Sequence, residues 1–132
     1  MYRIERVDIW EPFGNATLKI PTGRKLPTMW IVCPDSDFFG SVTTKWIDRV
    51  FAEMAMCPSH RFQILTSESA RMREYMDSDP FERIVDSTDE AGGHLLEWTE
   101  YGSVMRDLRC WPLPNVNIWV LDGEIKNTMP TR

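Results

Sequence analysis

Three short apolar runs, two of them followed by stretches with helical spacing, predict an α/β fold. The expected form is a small, mostly parallel sheet of three to four strands with helices packed on it. The runs are Met29-Trp30-Ile31-Val32-Cys33, Arg61-Phe62-Gln63-Ile64-Leu65 and Val116-Asn117-Ile118-Trp119-Val120-Leu121. At 132 residues the chain suits one α/β domain over 1–132, large enough to bury roughly two-thirds of the surface its unfolded chain exposes.

In order along the chain, Tyr2 to Trp10 alternates loosely and reads as an edge strand. Glu11 to Pro27 holds three prolines and two glycines, which predicts a loop with a short extended piece from Thr17 to Ile20. The Met29 run stops at Pro34, the pattern of a strand buried on both faces. From Val42 to Met56 the apolar residues Trp46, Ile47, Val50, Phe51 and Met54 recur at helical spacing, with Ser41 or Thr43 as N-cap and Pro58 as the stop. The Arg61 strand leads through the turn Thr66-Ser67-Glu68 to a helix from Ser69 to Met76. Pro80 to Glu90 reads as a further helix, because proline suits the first turn and Gly92-Gly93 halts the chain. Leu95 to Leu108 predicts a helix interrupted near Gly102; Trp111-Pro112-Leu113-Pro114 reads as an extended connector, and a polar tail follows Asp122-Gly123.

Apolar residues make up 42% and charged residues 27%, an ordinary globular mix that argues against disorder. No apolar run nears the roughly 20 residues that span a bilayer, and Met1 to Arg6 mixes charges where a secretory signal needs an apolar core. A cytoplasmic location, without membrane contact, is the expectation. Cys33, Cys57 and Cys110 are odd in number and far apart, so free thiols are expected rather than a disulfide framework. Charge is uneven: Asp77, Asp79, Glu82, Asp86, Asp89, Glu90, Glu97 and Glu100 stand against Arg83 alone, a local balance of −7 in a chain of net −5. An asymmetry of this kind speaks of partners rather than of fold.

Two constellations carry the chemistry of an enzyme reading. With the strands parallel, Asp35, Asp37, Glu68, Asp122 and Glu124 fall just beyond their C-terminal ends, where carboxylates suit a hard cation such as Mg²⁺. Acidic residues are also common there as caps and turn formers. Cys57 and His60 form a Cys-x-x-His pair, but a zinc site needs four ligands, and His60 reads as a packed or capping residue. There is no nucleophile elbow and no glycine-rich phosphate loop. Of six tryptophans, Trp30, Trp46 and Trp119 sit in core elements, while Trp10, Trp98 and Trp111 read as surface aromatics, a residue type enriched at interface hot spots.

The segments Asp35-Ser36-Asp37-Phe38-Phe39, Trp46 through Ala52 with Pro58 through Thr66, Ala70 through Met76, and Trp111-Pro112-Leu113-Pro114-Asn115-Val116 stand in an order that resembles the bacteriophage three-Cys-motif proteins, a radical-SAM-like family with a TIM-barrel-related fold. The resemblance implies a partial TIM barrel. It also marks two departures: the closely spaced cysteines expected to hold an iron–sulfur cluster have no equivalent spacing here, and Thr66-Ser67-Glu68 stands where the family has Thr-Lys-Arg.

The expectation is therefore a scaffold that has lost the family's chemistry: a non-enzymatic phage-encoded binding protein with no cofactor and no resident metal. Its acidic surface, comprising Asp77, Asp79, Glu82, Asp86, Asp89, Glu90, Glu97 and Glu100 with Trp98 and Trp111, would inhibit a host nucleic-acid-binding or CRISPR-type defence complex. The partner is expected to be a host protein or protein–nucleic acid complex with a basic surface, with a homodimer as a further expectation and no direct nucleic-acid binding. The alternative is a metal-assisted or SAM-related enzyme using the strand-end carboxylates.

Overall fold

The computed structural model describes residues 3–7, 20–32, 37–40, 42–90, 98–122 and 124–130. Five strands, β1 (Arg3–Val7), β2 (Thr28–Val32), β3 (Arg61–Thr66), β4 (Val116–Asp122) and β5 (Glu124–Pro130), form one sheet in the order β1-β2-β3-β4-β5. The first four run parallel and β5 returns antiparallel along β4. Parallel strands in consecutive order are the arrangement of neighbouring staves in a β/α barrel wall. The helices are α1 (Ile20–Gly23), α2 (Thr44–Ala55), α3 (Ser69–Asp77), α4 (Phe81–Glu90) and α5 (Trp98–Arg109).

Alternation along the strands divides the sheet into two unequal faces. Trp30, Val32, Phe62, Ile64, Val116 and Ile118 are buried, whereas Met29, Ile31, Gln63, Leu65, Asn117 and Trp119 on the other face are half-buried. The Met29 run is thus covered fully on one face, not on both as its continuous apolar character predicts. The buried face meets α2, where Ile47, Val50, Phe51 and Met54 recur at the i, i+3, i+4, i+7 spacing that forms one stripe. Thr43 caps that helix from extended backbone, its hydroxyl accepting from the Trp46 amide at 3.2 Å.

Four further sequence expectations need correction. Ile20 lies in α1 rather than in an extended piece, and residues 17–19 lie outside the described residues. Helix α5 runs unbroken through Gly102, with nothing within 4 Å of the position a Cβ would take there. The segment 111–115 is a bend and turn, not an extended connector: Val116 N–H donates to Leu113 O at 3.3 Å, and the Trp111–Pro112 peptide is cis. The segment Glu124–Pro130, expected as a polar tail, is strand β5, paired antiparallel with β4.

Candidate functional site

Of the five strand-end carboxylates of the enzyme reading, the side chains of Asp37 and Glu68 are the two that fall within the described residues. Asp35 lies outside the described residues. Asp37 does sit beyond β2, but protein donors occupy both its oxygens. Oδ1 accepts from Thr66 Oγ1 and from the Phe39 amide at 3.1 Å; Oδ2 accepts from the Ser67 amide at 2.7 Å and the Ser67 hydroxyl at 2.8 Å. Its role in the chain is to tie the loop after β2 to the end of β3. Arg71, on α3, completes the tie by donating to the carbonyls of Phe39, Gly40 and Val42. Glu68 is exposed, with its amide bonded to Thr66 Oγ1 at 3.0 Å. Asp122 is the last residue of β4 and Glu124 the first of β5, paired with one another in the sheet, and their side chains lie outside the described residues. No group of three or more His, Cys, Asp or Glu side chains suited to a metal occurs among the described residues.

The acidic stretch is built differently from its sequence. Asp48 on α2 is buried, and its carboxylate accepts from Tyr75 Oη at 2.7 Å and from Arg83 Nε at 3.0 Å. Burial, followed by the negative charge of Asp48 and the hydrogen bond to it, holds the Tyr75 phenol well above its ordinary value of 10.0. Arg83 lies across Asp48 from α4 with 45% of its side chain exposed, also donating to Ser78 Oγ at 3.3 Å with its guanidinium over the Tyr75 ring. It is the one cation that the sequence places between Asp77 and Glu100, and it faces a buried carboxylate.

On α4, Ile84, Ser87 and Thr88 are buried and Glu82, Asp86, Asp89 and Glu90 are exposed. Spacing of i, i+4, i+7 and i+8 sets these four along one stripe opposite the buried one. Asp77, Asp79 and Glu100 are exposed as well. Asp79 has φ 52°, a left-handed conformation that aspartate tolerates better than most residues, and it turns the chain between α3 and α4. Glu97 lies outside the described residues; Trp98 opens α5, and its side chain lies outside them too.

Trp111 has an in-chain role that its sequence position hides. It is half-buried, its Nε1 donates to Met76 O at 3.0 Å, and its ring lies 5.1 Å from that of Phe51 and 6.3 Å from that of Tyr75. His60 is 2% exposed. Its Nδ1 accepts from the Thr28 amide at 3.0 Å, and Nε2 meets Pro21 O at 2.9 Å and Arg24 O at 3.0 Å. That partner set defines a neutral ring protonated on Nε2 and leaves no lone pair for zinc. Cys57 is buried and Cys110 exposed, both as free thiols, while Cys33 lies outside the described residues. Asn115 carries no signal of its role in the sequence: its Nδ2 donates to Met54 O in the last turn of α2 and to Cys57 O just past its C-cap, each at 3.0 Å.

Fold and site define a mostly parallel α/β domain whose outer helix α4 carries a stripe of exposed carboxylates. The chain belongs to the family described as Protein of unknown function (DUF5131), whose model matches residues 4–128, from β1 through most of β5. Comparison with curated proteins and with solved structures gives no match. No helix among the described residues is long and apolar enough to cross a membrane.

Proposed function

We propose that this protein is a non-enzymatic binding protein that presents the carboxylates of α4 to a basic, nucleic-acid-binding surface of its partner. The orientation of Arg83 carries the reading: its guanidinium bonds Asp48 and Ser78 rather than Glu82, Asp86 or Glu90 of the outward stripe. From Glu82 through Asp86 and Asp89 to Glu90 the helix rises about 12 Å over nine residues, or one charge per roughly 3–4 Å, close to the ~3.4 Å axial spacing of phosphates along one DNA strand. A groove lined with Lys and Arg to follow phosphates meets a similar charge density here. The phage resemblance names the class of partner: a host complex that handles nucleic acid, such as a CRISPR-type defence complex, with inhibition following from occupation of its groove.

The test is capture from a bacterial host lysate on the immobilised protein, at low and at high salt, beside a variant carrying Glu82→Lys, Asp86→Lys and Glu90→Lys. The expected result is retention of a nucleic-acid-binding protein that salt or added DNA releases and the variant fails to hold. Equal retention by the variant, or a captured partner indifferent to DNA, overturns the reading.

A further inference from the structure

Among the described residues the first strand ends the sheet, paired with β2 on one side only, and its Ile4 is 67% exposed. We infer that β1 is a self-association edge, at which a second copy of this chain pairs antiparallel to extend the sheet.

The two sheet edges are not equivalent. At the far edge β5 contains Lys126 and Pro130, residues that natural edges use to refuse a further strand. In β1, Arg3-Ile4-Glu5-Arg6-Val7, proline and glycine are absent, and charges of both signs stand in an order that selects a partner.

A copy related by a twofold axis normal to the sheet keeps equivalent faces together, so odd-numbered residues meet odd and even meet even. Centring the pair on Glu5 sets Glu5 against Glu5, and centring it on Arg6 sets Arg6 against Arg6. Like charges directly opposite are unfavourable. Centring it on Ile4 sets Ile4 against Ile4 and Arg3 against Glu5 twice, once from each copy. Arg3 has 65% of its side chain exposed and lies 3.4 Å from Glu5 of its own strand, whose carboxylate Arg24 also holds, so the cross-copy pair adds Arg3 of the second copy to a carboxylate already fixed in place. Ile4 is in register with Met29 on the half-covered face of the sheet. Pairing through β1 therefore places the half-covered faces of the two copies side by side, with Ile4 bridging them.

The partner is a second copy because the charge order of β1 is complementary to itself read backwards about Ile4. The inference is independent of the role proposed for α4.

Sedimentation velocity of the full chain over a range of concentration tests this. The expected result is a reversible dimer of twice 15.5 kDa. Ile4→Lys and Arg3→Glu should each raise the dissociation constant about tenfold or more, since two attractive cross-strand pairs become repulsive or the central contact is lost. Glu5→Arg alone should be monomeric, and an equimolar mixture of Arg3→Glu with Glu5→Arg should form a heterodimer, because each chain then supplies one sign of charge. Circular dichroism checks that each variant is folded. If Glu5→Arg unfolds because the Arg24–Glu5 pair is lost, Ile4→Lys and Arg3→Glu decide the question by themselves. A chain that stays monomeric at high micromolar concentration, a dimer unmoved by those two substitutions, or folded charge variants that fail to pair overturns the inference.

Discussion

Tyr75 and Asp48 share a buried hydrogen bond of 2.7 Å that joins α3 to α2, and Arg83 closes the group from α4. Tyr75→Phe leaves the Asp48 carboxylate, 4% exposed, with one donor fewer and should cost about 1.5–3 kcal/mol. A lower urea midpoint at unchanged m-value checks this. The same pair sets an alkaline limit. The phenol is raised in the folded chain while the unfolded chain titrates near 10.0, so the stabilisation is complete below pH 10 and falls as pH rises above it. In the Phe variant that alkaline loss should shrink.

Trp111 is expected to matter for stability more than for a partner. Trp111→Ala removes the ring packed on Phe51 and leaves Met76 O without its indole donor. Because the side chain is only half-buried, the cost should be about 2–3 kcal/mol, below the roughly 3–5 kcal/mol of fully buried aromatics. Trp111→Phe should recover much of the packing and not the hydrogen bond. A Trp111→Ala protein that melts like the parent while losing its captured partner would return this residue to the contact surface.

Mg²⁺ at millimolar concentration should leave the melting temperature unchanged, since the four donors on Asp37 compete with any cation for its oxygens. Asp37→Asn should itself destabilise by about 1–3 kcal/mol, because its amide group meets donors where a carboxylate oxygen stood. A concentration-dependent rise in melting temperature that Asp37→Asn abolishes would move the metal-assisted enzyme ahead of the binding protein.

Replacing His60 should loosen the start of β2 and the α1 turn together. His60→Ala frees the Thr28 amide and the Pro21 and Arg24 carbonyls and removes a ring packed edge-on against Trp30 and Phe62. The expected cost is about 2–4 kcal/mol, with faster hydrogen exchange at Thr28 as the local signature. His60→Gln, whose amide oxygen can accept from Thr28, should fall between. Unchanged exchange at Thr28 would show that the ring does not hold this strand.

Much of the architecture was legible because it rests on local patterns. The stripe Ile47, Val50, Phe51, Met54 and the Thr43 cap specify α2 within fifteen residues, and the apolar runs specify β2, β3 and β4 within five to seven each. Strand β5 was not legible: Glu124-Ile125-Lys126-Asn127-Thr128-Met129-Pro130 has few apolar residues and ends in proline. Its strand character comes from hydrogen bonding to β4, a partner that no pattern within the segment reveals.

For the candidate site, the acidic composition from Asp77 to Glu100 and the helix under part of it belonged to the sequence alone, while burial of Ile84, Ser87 and Thr88 in the fold is what turns Glu82, Asp86, Asp89 and Glu90 outward. Which charges are taken up internally was decided by tertiary structure. Arg83 meets Asp48 across 35 residues, Asp37 meets Thr66 across 29, and Asn115 meets Cys57 across 58. Side chains so far apart in sequence come together only once the sheet has set the spacing of the elements that carry them. Periodicity reports which face of a helix is buried; a buried polar atom takes whichever donor the fold brings within reach, because leaving it unpaired costs more than any local preference supplies.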